Sequence, residues 1–186
     1  RNLRNFQPDR SLFPEFDEPL RQAMLKETEL FVEAVFREDR SILDLIDADF
    51  TFLSDRLARH YGLQANFGKA GGVLARGRGS EFVRVSLTGT QRGGILTQAS
   101  VLTVTSNPTR TSPVIRGVWV LSNIFGAPPP PPLPNVPALD GVVPANLPIR
   151  ERLAAHRKDP VCASCHRTID TVGFALENFD PVGRWR

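Results

Sequence analysis

Cys162-Ala163-Ser164-Cys165-His166 holds both cysteines of the 186-residue chain, so no disulfide can tie distant segments together. The fold must rest on burial of apolar side chains, with one short turn carrying all the thiol chemistry. Two thiols three positions apart lie on one side of a helical turn, where they can form thioethers with the two vinyl groups of one porphyrin. The adjacent histidine then points at the iron as proximal ligand. Two other readings compete. Zinc takes about four ligands, and this segment supplies at most three, with His60 and His156 lacking the paired spacing of a finger. A thiol–disulfide centre would sit in a βαβ setting, which the surroundings of residue 162 do not show.

Hydrophobic residues make up 41% of the chain and charged residues 23%, the balance of an ordinary globular protein able to bury a core. The net charge of +3 is mild and its basic residues are dispersed, apart from small groups such as Arg76/Arg78 and Arg184/Arg186. Nucleic acid is therefore not an expected partner. No apolar run is long enough to span a membrane. The first residues, Arg1-Asn2-Leu3-Arg4, carry no initiator Met or signal peptide, which suggests a processed chain or a piece of a larger one. Covalent haem would place the protein outside the cytoplasmic membrane, where haem lyases act.

The pattern predicts a mainly α fold: a helical module over 1–66, then a haem-attachment module over 67–186 with a small β element near 81–105. Asp17 caps a first helix, with Pro19 in its first turn and an apolar stripe from Leu20 through Met24 and Phe31 to Phe36. Ser41 and Ser54 open two shorter helices, the second ending near Gly62. The stretch Asn66–Gly79 reads as a surface loop, and Phe82–Leu87 as a strand. Ser100–Thr105 fits strand or helix. Ser112-Pro113 starts a helix whose buried stripe is Val114, Ile115, Val118, Trp119, Ser122 and Phe125, closed by Gly126. The prolines from Pro128 to Pro132, with Pro134 and Pro137, predict a stiff extended strap over 127–137, or a docking site for a proline-recognising partner. Asn146 opens a helix over 147–157, and Asp159-Pro160 starts the one that carries the pentapeptide.

His166 is the expected metal ligand; for the opposite face of the iron the candidates are His60, His156 or an open position. Met24 falls on the apolar stripe of the first helix and reads as core. His60 is preferred, being distant in sequence and able to fold over the other face, while His156 could ligate, bind a propionate or cap a helix end. Arg110, Arg116, Arg157 and Arg184 are candidate propionate partners, since guanidinium binds carboxylates bidentately. Trp119, Phe174, Phe179 and Trp185 could line a haem pocket or pack a core. Asp44, Asp47, Asp49 and Asp55 lack the glycine and terminal glutamate of a calcium loop and read as a solvated acidic face.

Three strings carry a resemblance: "DRSLFPEFDEPLRQAMLKETELFVEAVFREDRSILDLIDADFTFLSDRLARHYG", "GGILTQASVLTVTSNPTRTSPVIRGVWVLSNIFGAPPPPPLPNVPAL" and "RERLAAHRKDPVCASCHRTIDTVGFALENFDPVGRWR". They resemble adjacent uncharacterised modules of the large, secreted planctomycete-type multi-domain cytochrome c proteins. The resemblance implies a slice of a longer bacterial polypeptide with haem c attached at Cys162, Cys165 and His166. His60 in "RLARHYG" and His156 in "HRKDPVC" match family histidines. Where family members often have Asp-Pro, this chain has Asp170-Thr171, and Ile169 stands at a position often held by Met, so no local Met ligand is offered. The resemblance supplies a cofactor and a compartment but no reaction.

The expectation is an extracytoplasmic module carrying one covalent haem c and transferring electrons to a redox partner or to other domains of the same polypeptide. A haem peroxidase or oxidase-like centre with an open distal face is the enzymatic alternative. A binding scaffold with a structural haem is the third.

Overall fold

Asp17, Ser54, Ser112 and Asp159 each stand just before a helix, and each turns its side-chain oxygen onto an otherwise unpaired N–H of the first turn. The structure, a computed structural model, describes residues 2–69, 81–131 and 146–186. The helices are α1 (Glu18–Arg37), α2 (Asp44–Asp47), α3 (Asp55–Tyr61), α4 (Gln64–Lys69), α5 (Ala99–Val104), α6 (Pro113–Asn123), α7 (Ile149–His156) and α8 (Pro160–Phe174). Strands β1 (Phe50–Leu53) and β2 (Val83–Ser86) pair antiparallel, Phe50 opposite Ser86 and Leu53 opposite Val83. The fold is mainly α, and no described helix is long and apolar enough to cross a membrane.

Contacts divide the chain into two compact units, Arg1–Thr111 with Asn178–Arg186, and Ser112–Glu177. The boundary expected at 66/67 falls inside the first unit. The reason is non-local pairing: β1 lies before that boundary and β2 after it, and their ladder joins the two stretches.

In the first unit α1 supplies the spine. Leu20, Met24 and Phe31 have no exposed surface, and each such burial contributes roughly 1.5–3 kcal/mol. Phe31 continues into a smaller cluster with Val35, Ala48 and Phe50. The polar side of α1 is also anchored: Thr28 bonds Gln98 and Ser100 at 2.7 and 2.6 Å, fixing the start of α5. Gly62 ends α3 with a positive φ of 71°.

Several local expectations change. Residues 50–53 form a strand inside the stretch expected to be helical, because Phe50 and Leu53 bury against α1 while their backbone pairs with β2. Residues 66–69 of the expected loop are helical, the end of α4, and residues 70–79 of it lie outside the described residues. Within 81–105 the β element is confined to β2, and Ala99–Val104 is helix. Ser41 accepts from Leu43 in a turn, and α2 itself begins only at Asp44. Ala127–Pro131 has no regular structure, and Pro132, Pro134 and Pro137 of the proposed strap lie outside the described residues.

In the second unit α6 packs on α8 through its small side, correcting the stripe expected from its bulky residues. The buried positions of α6 are Pro113, Arg116, Gly117 and Val120; Val114, Ile115, Val118, Trp119 and Ser122 are half-buried and Phe125 is exposed. A Cβ at Gly117 would overlap the carbonyl of Ile169, and one at Gly173 the carbonyl of Pro113. Two glycines on facing helices thus bring the backbones together. Arg116, fully buried, locks this contact by donating to the carbonyl of Leu176 at 2.6 Å and to Glu177 at 3.3 Å.

Candidate functional site

The pentapeptide lies in the first half of α8. Asp159 accepts from Val161 N–H at 2.8 Å and Pro160 occupies the first turn, so the helix starts just ahead of Cys162. Cys162 and Cys165 are free thiols, each half-buried. At a three-residue spacing on a helix they share one face. Their neighbours divide by face: Ala163 and Ile169 are buried, whereas Val161 and Ser164 are exposed.

One turn on, His166 Nδ1 lies 2.9 Å from Asp170 Oδ1. An ionised carboxylate oxygen only accepts, so the contact selects the tautomer with the proton on Nδ1, in which the neutral ring carries its lone pair on Nε2. Asp170 has no exposed surface. Its second oxygen accepts no hydrogen bond among the described residues and faces Arg157 Nη1 at 3.6 Å. A buried carboxylate holding Nδ1–H while Nε2 stays free is how metal-bound histidines are commonly oriented.

His156, at the end of α7, meets the His166 ring edge to face with centroids 4.7 Å apart. Burial first, and the neighbouring His166 second, hold its pKa below the ordinary imidazole value. The structure therefore gathers Cys162, Cys165, His166, His156 and Arg157 in one unit and adds Asp170. The sequence drew attention to Asp170-Thr171 only as a departure from the family's Asp-Pro, although the i,i+4 spacing of Asp170 from His166 was the available signal.

The remaining candidates have other surroundings. His60, on α3 of the first unit, donates from Nε2 to the carbonyl of Val182 at 2.7 Å. Burial pushes its pKa down to about 4, so the ring is neutral. Arg110 also belongs to the first unit and is exposed, its guanidinium 3.4 Å from the carbonyl of Thr111. Arg184 pairs with Asp180 and Glu15, each at 2.8 Å. Arg116 serves the α6–α8 contact. Phe179 and Trp185 stack against each other in the first unit at 5.0 Å, whereas Phe174 of the second unit lies under Arg150 at 4.3 Å. Met24 is sealed in the α1 core.

The residues present fit a covalently held haem. The two thiols share a helix face, the histidine after them turns Nδ1 to a buried carboxylate acceptor, and that contact fixes the ring and directs Nε2 away from Asp170. Among the described residues no three His, Cys, Asp or Glu side chains gather to hold a metal ion, so the donor set that bare zinc takes is not assembled there.

Residues 92–186 match the model of the family PSCyt3, described as a protein of unknown function (DUF1588), and residues 1–63 match PSD4, also described as a protein of unknown function (DUF1592). No curated protein and no solved structure gives a match.

Proposed function

Because the chain belongs to the PSCyt3 family of proteins of unknown function, we propose that its second unit is a c-type haem module that transfers electrons within a larger multi-domain protein. The observation that carries this reading is the His166–Asp170 bond, which leaves Nε2 of the histidine beside Cys162 and Cys165 as an open donor. Cys162 and Cys165 would hold the porphyrin by thioethers and His166 would bind the iron. The bound group would supply a one-electron iron couple. Arg157, half-buried beside Asp170, is the propionate candidate that shares a unit with the site. Haem lyases work outside the cytoplasmic membrane, so the reading places the protein in the periplasm or beyond. The partner is then a redox protein or another domain of the same polypeptide.

For the distal side, His60 would have to leave the Val182 carbonyl before Nε2 could bind iron. His156 would have to leave its edge-to-face contact. Two imidazoles on opposite sides of one metal, each about 2 Å from it, have centroids about 6 Å apart, whereas these stand at 4.7 Å. That spacing favours a second reading, an enzymatic haem whose sixth position is open. The ferric spectrum separates the two. A low-spin haem indifferent to cyanide and peroxide supports electron transfer, and a high-spin haem that binds them overturns it in favour of catalysis. If His60 ligates, His60→Ala converts the iron to high spin; an unchanged spectrum removes it from that role.

A further inference from the structure

Asp170 has no exposed surface, and its hydrogen-bond partner is a ring nitrogen, Nδ1 of His166. It lies on α8 next to Ile169 with no surface open to solvent, where an unpaired carboxylate would be costly. It is engaged from two directions: His166 Nδ1 donates to Oδ1 at 2.9 Å, and the Arg157 guanidinium faces Oδ2 at 3.6 Å. A carboxylate is a stronger acceptor than a backbone carbonyl, so it draws the Nδ1 proton further and raises the basicity of Nε2. Arg157 acts in the opposite sense, by withdrawing charge from the same carboxylate.

We propose that Asp170 is a positioning residue that makes His166 a strong, imidazolate-like donor, lowering the reduction potential of an iron held at Nε2, with Arg157 tempering the effect. This rests on the haem reading above and specifies how the proximal side of that site is tuned. Stronger donation stabilises the oxidised metal. The same hydrogen bond fixes the ring plane, since it connects two positions of one rigid helix.

The test uses full-length protein matured with covalent haem, comparing wild type with Asp170→Asn. Two quantities are read: the haem midpoint potential, and the iron–histidine stretching band in the resonance Raman spectrum of the photolysed carbonyl complex. The band reports ligand strength directly and would not respond to a purely structural role. The expected result is a more positive potential together with a lower stretching frequency. An unmoved band in a variant that keeps its haem overturns the proposal. Should Asp170→Asn fail to fold, Arg157→Gln takes its place. Freed of the guanidinium, Asp170 accepts more strongly, so the band rises and the potential falls; an unmoved band again overturns the proposal. Wild-type protein without covalent haem would refute the haem reading itself, an outcome distinct from a loaded protein whose band stays unmoved.

Discussion

Gly117 on α6 and Ile169 on α8 approach so closely that a methyl group on the glycine would overlap the isoleucine carbonyl. Gly173 repeats the relationship in reverse against Pro113, one turn further along the contact. The helix that carries the pentapeptide is therefore seated by backbone-to-backbone contact, and Asp170, between the two contact points in sequence, is fully buried on it.

Gly117→Ala and Gly173→Ala should each destabilise the second unit by about 1–3 kcal/mol, the usual cost of overpacking a tight contact. Chemical denaturation followed by circular dichroism measures it. Unchanged midpoints for both would show that the helices are free to part. Both variants should also mature with less covalent haem, since the attachment turn is displaced.

Glu27 and His60 set opposing pH responses in the first unit. Glu27 is buried, accepting from Thr51 at 2.7 Å and from Tyr61 at 2.5 Å, and burial raises its pKa from 4.5 to about 7 against the pull of those bonds and of Arg92. A carboxyl raised in the folded state contributes stability that is full below the unfolded pKa and is lost as pH rises through the folded one. That window runs from 4.5 to about 7. His60 is lowered from 6.5 to about 4, so the unfolded chain takes up its proton first and stability is lost as pH falls through that interval. The two slopes oppose one another in the wild type. Glu27→Gln should therefore leave stability rising with pH between 4 and 6.5, and His60→Gln should leave it falling between 4.5 and 7. Urea denaturation at half-unit pH steps checks both; parallel profiles for wild type and variants would refute the assignment.

Arg92→Lys should cost about 2–4 kcal/mol although it conserves charge. The guanidinium lies over the Tyr61 ring at 3.6 Å and donates to the carbonyls of Thr97 and Gly183, each at 2.6 Å. A lysine keeps the charge but not the planar fork, and leaves one buried carbonyl without its donor. The same loss should loosen residues 178–186 from the rest of the first unit, seen as faster amide exchange at Gly183 than in the wild type. Equal exchange and equal stability would mean that the positive charge, not the planar fork, holds this corner.

Local signals were readable and non-local ones were not. The caps at Asp17, Ser54, Ser112 and Asp159 were legible because capping is decided within four residues of chain. β1 was missed because four residues, although Phe50, Thr51 and Phe52 favour a strand, make a ladder only with Val83–Ser86, which lies beyond a long intervening stretch. On α6 the bulky residues suggested the wrong buried face, since Gly117 and the Arg116 anchor, which leave no hydrophobic signal, select the side that packs. The pentapeptide and its histidine were plain in the sequence. Asp170 was not, because its importance comes from its burial and its bond to His166, and a lone acid after a histidine reads first as surface.

The account stands on covalent haem at Cys162 and Cys165. The full chain should be exported in a host with a haem-maturation system, denatured, extracted with acidified solvent and weighed intact, with a pyridine haemochrome spectrum of the same sample. The account predicts that the wild type keeps the mass of one haem and gives the spectrum of a thioether-linked porphyrin, and that Cys162→Ala with Cys165→Ala loses both. A wild-type chain at its bare polypeptide mass, or a double variant that still holds haem after denaturation, would contradict it.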